Sequence, residues 1–290
     1  MASAIVSYCI WGTIALYWSL LREAGDLEIL AHRILWSLIF ISVLIVIQGK
    51  MRGTVELFFD LFQHPKENKT FVLLLATLFA SGNWLINIIG VTANRVVELS
   101  LGTFLTPLAT VAIGVLFFSE RLSRLRMLAI GLAALGVAVL IAGLDRFPWI
   151  AICVSTTWAI YGAMKKLVKI EPLKSVAIEH LLMVGPAIVY LLSNNGILVK
   201  HFFESFDSYL GWALIGTGIV TSVPMVLFSL AAQRLHMTVL GIIQFLSPVL
   251  TFLLGIFVFK EVVSVTELIA LCFIVTAVLL YIFSNCTDRA

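Results

Sequence analysis

Apolar residues in this chain neither alternate with polar ones nor keep to one helical face. They come in long runs that are apolar all round, separated by short polar stretches. Ten runs approach the roughly 20 residues a helix needs to cross a bilayer core. They are about 3–21, 29–49, 71–90, 96–118, 127–144, 148–168, 174–193, 209–231, 236–259 and 265–283. The tightest break is Asp145, Arg146 and Phe147 before Pro148. Barrel strands would alternate over about 10 residues, so a closed barrel is excluded. Helices satisfy their own backbone in lipid. The pattern predicts an all-α polytopic membrane protein with ten transmembrane helices.

Composition agrees with that solvent. Of the 290 residues, 61% are hydrophobic and 12% charged, with a mean hydropathy of +1.09. Soluble domains carry about 25% charged residues, and a soluble fold this size needs far more polar cover. This composition argues against disorder and against an ordinary cytosolic enzyme fold. A net charge of +3 is too mild to point to nucleic acid. Cys9, Cys153, Cys272 and Cys286 show no paired spacing and read as small apolar residues. No basic residue precedes the first span and no small-residue cleavage site follows it, which argues against a signal peptide.

Basic residues set the direction of the chain. Even loops and termini hold thirteen: Lys50, Arg52, Lys66, Lys69, Arg121, Arg124, Arg126, Lys165, Lys166, Lys169, Lys174, Arg234 and Arg289. Odd loops hold six: Arg22, Arg33, Arg95, Arg146, Lys200 and Lys260. The positive-inside rule then puts both termini in the cytoplasm. On that side the Asn-x-Thr sequons at Asn68 and Asn285 are chance matches.

The two halves repeat each other. Phe-Leu-Thr-Pro at 104–107 matches Phe-Leu-Ser-Pro at 245–248. At the same offset of 141, Thr110, Gly114, Phe118 and Glu120 meet Thr251, Gly255, Phe259 and Glu261. Trp11 matches Trp158 at an offset of 147. So do Val55, Phe59 and Phe62 with Phe202, Phe206 and Tyr209, suggesting an interfacial helix on each membrane face. Five spans per half is an odd number, so the second half (146–290) enters the membrane opposite to the first (1–145). Inverted repeats of this kind are common in secondary transporters. Pro107 and Pro248 fall near the middle of spans four and nine and push away the carbonyls of Thr103 and Gln244. Opened backbone at that depth needs protein or water around it, so both spans are expected either to line a pathway or to carry a packing kink.

Several stretches then become recognisable: Ile-Leu-Ala-His-Arg-Ile-Leu-Trp-Ser (29–37), Gly-Asn-Trp (82–84), Glu-Leu-Ser-Leu-Gly-Thr-Phe-Leu-Thr-Pro-Leu (98–108), Gly-Ile-Val-Thr-Ser-Val-Pro (218–224) and Gly-Ile-Ile-Gln-Phe-Leu-Ser-Pro (241–248). With them the chain, over about 3–283, resembles the RarD-like branch of the EamA family in the drug/metabolite transporter superfamily. The resemblance implies ten helices, two EamA repeats, a bacterial inner-membrane location and export of small molecules. Ser119 departs from it, standing where the family usually has Gly before Glu-Arg. The amino terminus is also shorter than usual.

Ionisable groups inside a span cost about 2.5–3.5 kcal/mol to insert, so each is a functional candidate. His32, Arg33 and Glu98 are expected at one outer level, where Arg33 and Glu98 either pair or meet substrate. Glu179 and His180 lie near the middle of span seven, with His180 matching His32 at an offset of 148. Asn83 and Asn87 share a face beside Trp84, as ligand contacts or as helix glue. Trp11, Trp36, Trp158 and Tyr161 suit an aromatic-lined cavity; Thr103 and Gln244 complete the substrate-binding candidates. Ala134, Ala138 and Ala142 form a packing stripe, within the bundle or across a dimer. No metalloprotease, P-loop, dinucleotide or nucleophile-elbow motif is present, so no catalytic, cofactor or metal residue is assigned. The expectation is a secondary transporter, monomer or homodimer, with a small-molecule substrate, a coupling ion such as a proton and the lipid bilayer as partners. The alternative is a membrane-embedded enzyme acting on an apolar or lipid-linked substrate.

Overall fold

The structure, a computed structural model, describes residues 1–63, 68–143, 147–193, 209–260 and 264–287, with Asn68 and residues 285–287 described by backbone alone. Among these residues every regular element is helical. In chain order they are α1 (Ala2–Trp18, extended by a 3₁₀ turn, Ser19–Leu21), α2 (Asp26–Ile47), α3 (Met51–Gln63), α4 (Asn68–Thr92), α5 (Val96–Phe118), α6 (Arg124–Ala142), α7 (Trp149–Val168), α8 (Pro172–Ser193), α9 (Tyr209–Arg234), α10 (Met237–Gln244), α11 (Leu246–Phe257) and α12 (Val265–Thr287).

Nine of the described segments are long and apolar enough to cross a membrane, α10 and α11 together counting as one. The protein is a multi-pass membrane protein. Large apolar side chains stand outward on many helices, with Leu116 at 74% and Phe117 at 78% exposure. Such a surface is stable only against lipid. The sixth expected span, 148–168, coincides with α7, which is not among the nine; its 20 residues include Lys165 and Lys166 in the last turn. α3 matches the first expected interfacial helix. Its Leu57, Phe58 and Leu61 pack on Leu73, Val168 and Ile178, while Val55, Phe59 and Phe62 face outward. The matching stretch around Phe202 and Phe206 lies outside the described residues, as do Asp145, Arg146, Lys66, Lys200, Glu261 and Arg289, and the side chains of Asn68, Asn285 and Cys286.

Helix neighbours come in exchangeable sets. α7 packs on α4 and α5, and α1 packs on α9 and on the α10–α11 pair. α2 packs on α8 and on α9, α5 on α10, and α6 on α12. In the last of these Gly136 permits close approach: a Cβ there would meet the Ala270 carbonyl at 3.0 Å. Ala129, Ala133 and Gly136 form the buried small-residue face, against Ile274 and Ala277. The expected stripe of Ala134, Ala138 and Ala142 is exposed and does not pack within the bundle, because the 3.6-residue period carries it round to the opposite side.

Of the two spans that carry the matched Phe-Leu-[Thr/Ser]-Pro motif, only the ninth is interrupted. α5 continues through Pro107. In span nine the helix breaks at Phe245, whose N–H bonds the Ile242 carbonyl at 3.2 Å. Phe245 stays right-handed (φ −59°, ψ −19°), so this is a tightened turn and not an unwound segment.

The three basic loops share one end of the bundle, as the charge distribution predicts. Lys50 pairs with Glu171, and Lys166 Nζ lies 3.9 Å from Glu120. Gln233 donates to the Ile170 carbonyl at 2.7 Å.

Candidate functional site

The interior is built around aromatic side chains from α1, α7 and α9. Trp11 and Trp158, aligned in the sequence comparison of the two halves, meet edge to face with centroids 5.3 Å apart. Tyr8 lies 5.4 Å from Trp11, Phe228 lies 5.4 Å from Trp158, and Tyr161 stacks on Phe228 at 5.8 Å. Offset and edge contacts of this kind add to the burial energy of the rings. Tyr161 and Phe228 are fully buried, so in this conformation the rings fill the centre themselves.

Gln244 joins this centre. It is buried at the end of α10 and accepts a hydrogen bond from the Thr110 hydroxyl of α5 at 2.8 Å. The Tyr8 hydroxyl lies beside the Gln244 amide and the Trp158 indole but makes no hydrogen bond of good geometry. α5 and α10 cross closely here, since a Cβ on Gly241 would sit 2.7 Å from the Pro107 carbonyl. Thr103, which holds the place of Gln244 in the other proline motif, is not part of this centre. It is exposed on α5 and bonds back to the Ser100 carbonyl at 2.7 Å, because it stands on the face of α5 turned away from α10.

Next to the aromatic centre lies a charged network whose cation was assigned from sequence to a cytoplasmic loop. Lys165 is instead fully buried on α7 and pairs with Glu179 of α8 at 2.6 Å. Its ammonium also donates to Ser175 at 2.7 Å, and the Tyr161 hydroxyl donates to the other Glu179 oxygen at 3.1 Å. Two buried opposite charges are tolerated when hydrogen bonds satisfy what remains of each. One signal in the sequence pointed to it: Trp158, Tyr161 and Lys165 share a helix face, being three and seven residues apart.

His180, beside Glu179, donates from Nδ1 to the Val176 carbonyl at 2.8 Å, since a carbonyl can only accept. Nε2 is then a lone-pair acceptor in the neutral ring, and it is buried without a partner among the described residues. Its ring contacts Trp84, with centroids 6.0 Å apart. Across Trp84 stands Arg33. Its Cζ lies 5.2 Å from the Trp84 ring and 5.0 Å from that of Trp18, and Nε donates to Thr221 at 3.1 Å. The expected Arg33–Glu98 pair does not form. Glu98 is buried against Arg95, one helical turn back, at 2.5 Å. A neighbour at i,i+3 needs no chain closure to reach it, and this one captures the carboxylate.

Of the remaining candidates, Asn83 joins two helices, while Asn87 bonds back to Asn83, and Trp36 to His32, within one helix. Asn83 donates to the Val154 carbonyl at 2.8 Å and to Thr157 at 3.0 Å, tying α4 to α7. Asn87 donates back to the Asn83 carbonyl at 2.8 Å. His32 is buried, and its Nδ1 accepts from the Trp36 indole at 3.2 Å.

At the basic end, outside the spans, Glu120 caps α10 from another segment. It accepts the N–H groups of Met237 at 2.7 Å and Thr238 at 2.8 Å. Burial pushes its carboxyl up, but these bonds and the charge of Lys166 prevail and hold it below the ordinary carboxylate value.

The model of the EamA-like transporter family matches this chain over residues 1–142 and 148–283. A protein named RarD from Streptomyces exfoliatus is 36% identical over 255 residues, covering 88% of this chain and 79% of that one. RarD of Escherichia coli is 32% identical, covering 96% of this chain and 92% of that protein. An uncharacterized transporter of Vibrio cholerae is also 32% identical, over 96% of this chain and 90% of its own. One crystal structure aligns with a TM-score of 0.72 at 17% identity, over 96% of this chain and 95% of that one; this likeness concerns fold alone.

Proposed function

Since the chain belongs to the EamA-like transporter family, as a RarD-like member, we propose that it is a secondary transporter exporting small metabolites or drug-like molecules across the bacterial inner membrane by alternating access. Its two five-helix halves, 1–145 and 146–290, rock as inverted repeats about the aromatic centre, with both termini cytoplasmic. Flux is driven by an ion gradient, a proton being one such coupling ion, or by exchange.

The observation that carries this reading is the crossing of α5 and α10, where the matched proline motifs bring Gly241 against Pro107 and Thr110 against Gln244. In transporters built from inverted repeats the halves rock against each other about a site at their interface near the midplane. The helix ends support the same repeat. Ser119 after α5 and Lys260 after α11, matched at the offset of 141, are both left-handed, at φ 53° and 57°. The exchangeable helix neighbours support it as well.

Counterflow in proteoliposomes containing only this chain tests the reading. Trapped solute should accelerate uptake of its labelled form. Gln244→Leu should lower exchange at least tenfold while moving the melting temperature little. Equal loss of stability and flux would assign Gln244 to packing, and no exchange across amino acids, nucleosides and aromatic drugs would end the transporter reading.

A further inference from the structure

Among the described residues, Arg33 is a cation without a counter-ion. It lies in the second turn of α2, and its guanidinium sits against the faces of Trp18 and Trp84. Its one hydrogen bond runs from Nε to Thr221. The terminal guanidinium nitrogens have no hydrogen-bond partner among the described residues. The buried carboxylates are committed elsewhere, Glu98 to Arg95 and Glu179 to Lys165. Asp26 and Glu28, on Arg33's own helix, form no ion pair with it among the described residues, and α1, α4 and α9 bring no carboxylate from their described side chains. A second polar group close by is also unsatisfied. His180 Nε2 is buried behind Trp84 with no partner among the described residues.

We propose that Arg33 is the anchor for the anionic group, a carboxylate or a phosphate, of the solute this protein carries. The inference rests on the transporter reading above and adds the substrate class to it. The chemistry follows from the geometry. A guanidinium is a planar fork of donors matched to two oxygens of a carboxylate or phosphate. Here Nε is held by Thr221 and the plane is held by two indoles, so the outward edge is presented in a fixed orientation. Cation–π contacts hold the charge in place without neutralising it, leaving its field for a ligand. Trp18 and Trp84 offer apolar walls to the remainder of the solute, which makes an aromatic or amphipathic organic anion the best match.

The test begins with binding to the purified, intact protein. Benzoate, phenylphosphonate and inorganic phosphate are titrated against benzamide and benzylamine, reading thermal stabilisation and indole fluorescence. The organic anions should give saturable shifts and their neutral and cationic counterparts none. Arg33→Gln should weaken benzoate binding at least tenfold, and Arg33→Lys should weaken it less. Should Arg33→Gln fail to fold, the comparison of benzoate with benzamide on the unaltered protein still decides. Equal effects of the two, or unchanged benzoate binding in Arg33→Gln, overturn the proposal. Nanodiscs separate solute from lipid: if phosphatidylglycerol, and not phosphatidylcholine, abolishes benzoate binding, the anion is a headgroup and the assignment to carried solute falls. Counterflow separates this inference from its premise. Exchange of neutral or cationic solutes at the same rate in Arg33→Gln sinks the anion site and leaves transport standing. Arg33-dependent benzoate binding with no flux of any solute leaves the site standing and sinks transport.

Discussion

The Lys165 ammonium and the Glu179 carboxylate lie 2.6 Å apart with neither side chain exposed. Removing one partner leaves the other as an uncompensated buried charge. Lys165→Met or Glu179→Leu alone should therefore cost about 3–5 kcal/mol. The double substitution should recover most of that, because an apolar pair of similar volume satisfies the same space. Denaturation of all four proteins in one detergent checks it; additive losses would show that the two groups act separately.

Arg33 and Glu98 give the opposite expectation. Glu98 is paired with Arg95 and Arg33 stands against indoles, so exchanging the charges as Arg33→Glu with Glu98→Arg should rescue neither single variant. A double-mutant cycle on melting temperature should be additive within about 0.5 kcal/mol. Coupling well above that would restore the pair.

Glu120 predicts a pH dependence with a definite sign. Its folded carboxyl sits below its ordinary value, so its contribution is fully present above the unfolded value, about pH 4.3. That contribution is lost as pH falls through the folded value. Glu120→Gln should cost about 1 kcal/mol at pH 7, the usual scale of a helix cap. The gap from the native protein should close below about pH 4. A gap independent of pH down to acid unfolding would remove the carboxylate from the argument.

Ser119 offers a gain. It is left-handed at φ 53°, and the next N–H, that of Glu120, bonds the Gly114 carbonyl at 3.1 Å, closing α5 as glycine does in the Schellman turn. A Cβ in that conformation is strained. Ser119→Gly should stabilise by about 0.5–1 kcal/mol, read as a rise in melting temperature. A fall would mean that the serine side chain contributes more than its strain costs.

Sidedness is checked by labelling. In the proposed topology a cysteine at Ser123 is unreactive to an impermeant thiol reagent added outside, and one at Lys260 reacts. The reverse pattern would invert the orientation.

The apolar runs by themselves determined the helices and the membrane. A run that is apolar on every face has one stable solution in lipid, and that solution depends on local backbone bonding alone. Likewise, the crowding of basic residues into 50–70, 119–126 and 165–174 determined that these loops share one end, since charge follows the water. Polar partnership was not legible in the same way. Arg33 and Glu98 have matching inferred depths, yet depth says nothing of rotation about a helix axis, and Arg95 was nearer to Glu98. Lys165 reads as a loop cation until α8 is seen to bring Glu179 against it. Thr103 and Gln244 occupy equivalent places in two proline motifs, but α5 turns the first outward while α10 turns the second against Thr110. Each of these was decided by which faces the helices present to one another. That choice rests on close approach at Gly102, Gly218 and Gly241, where missing side chains set the rotation, and only the assembled bundle reveals it.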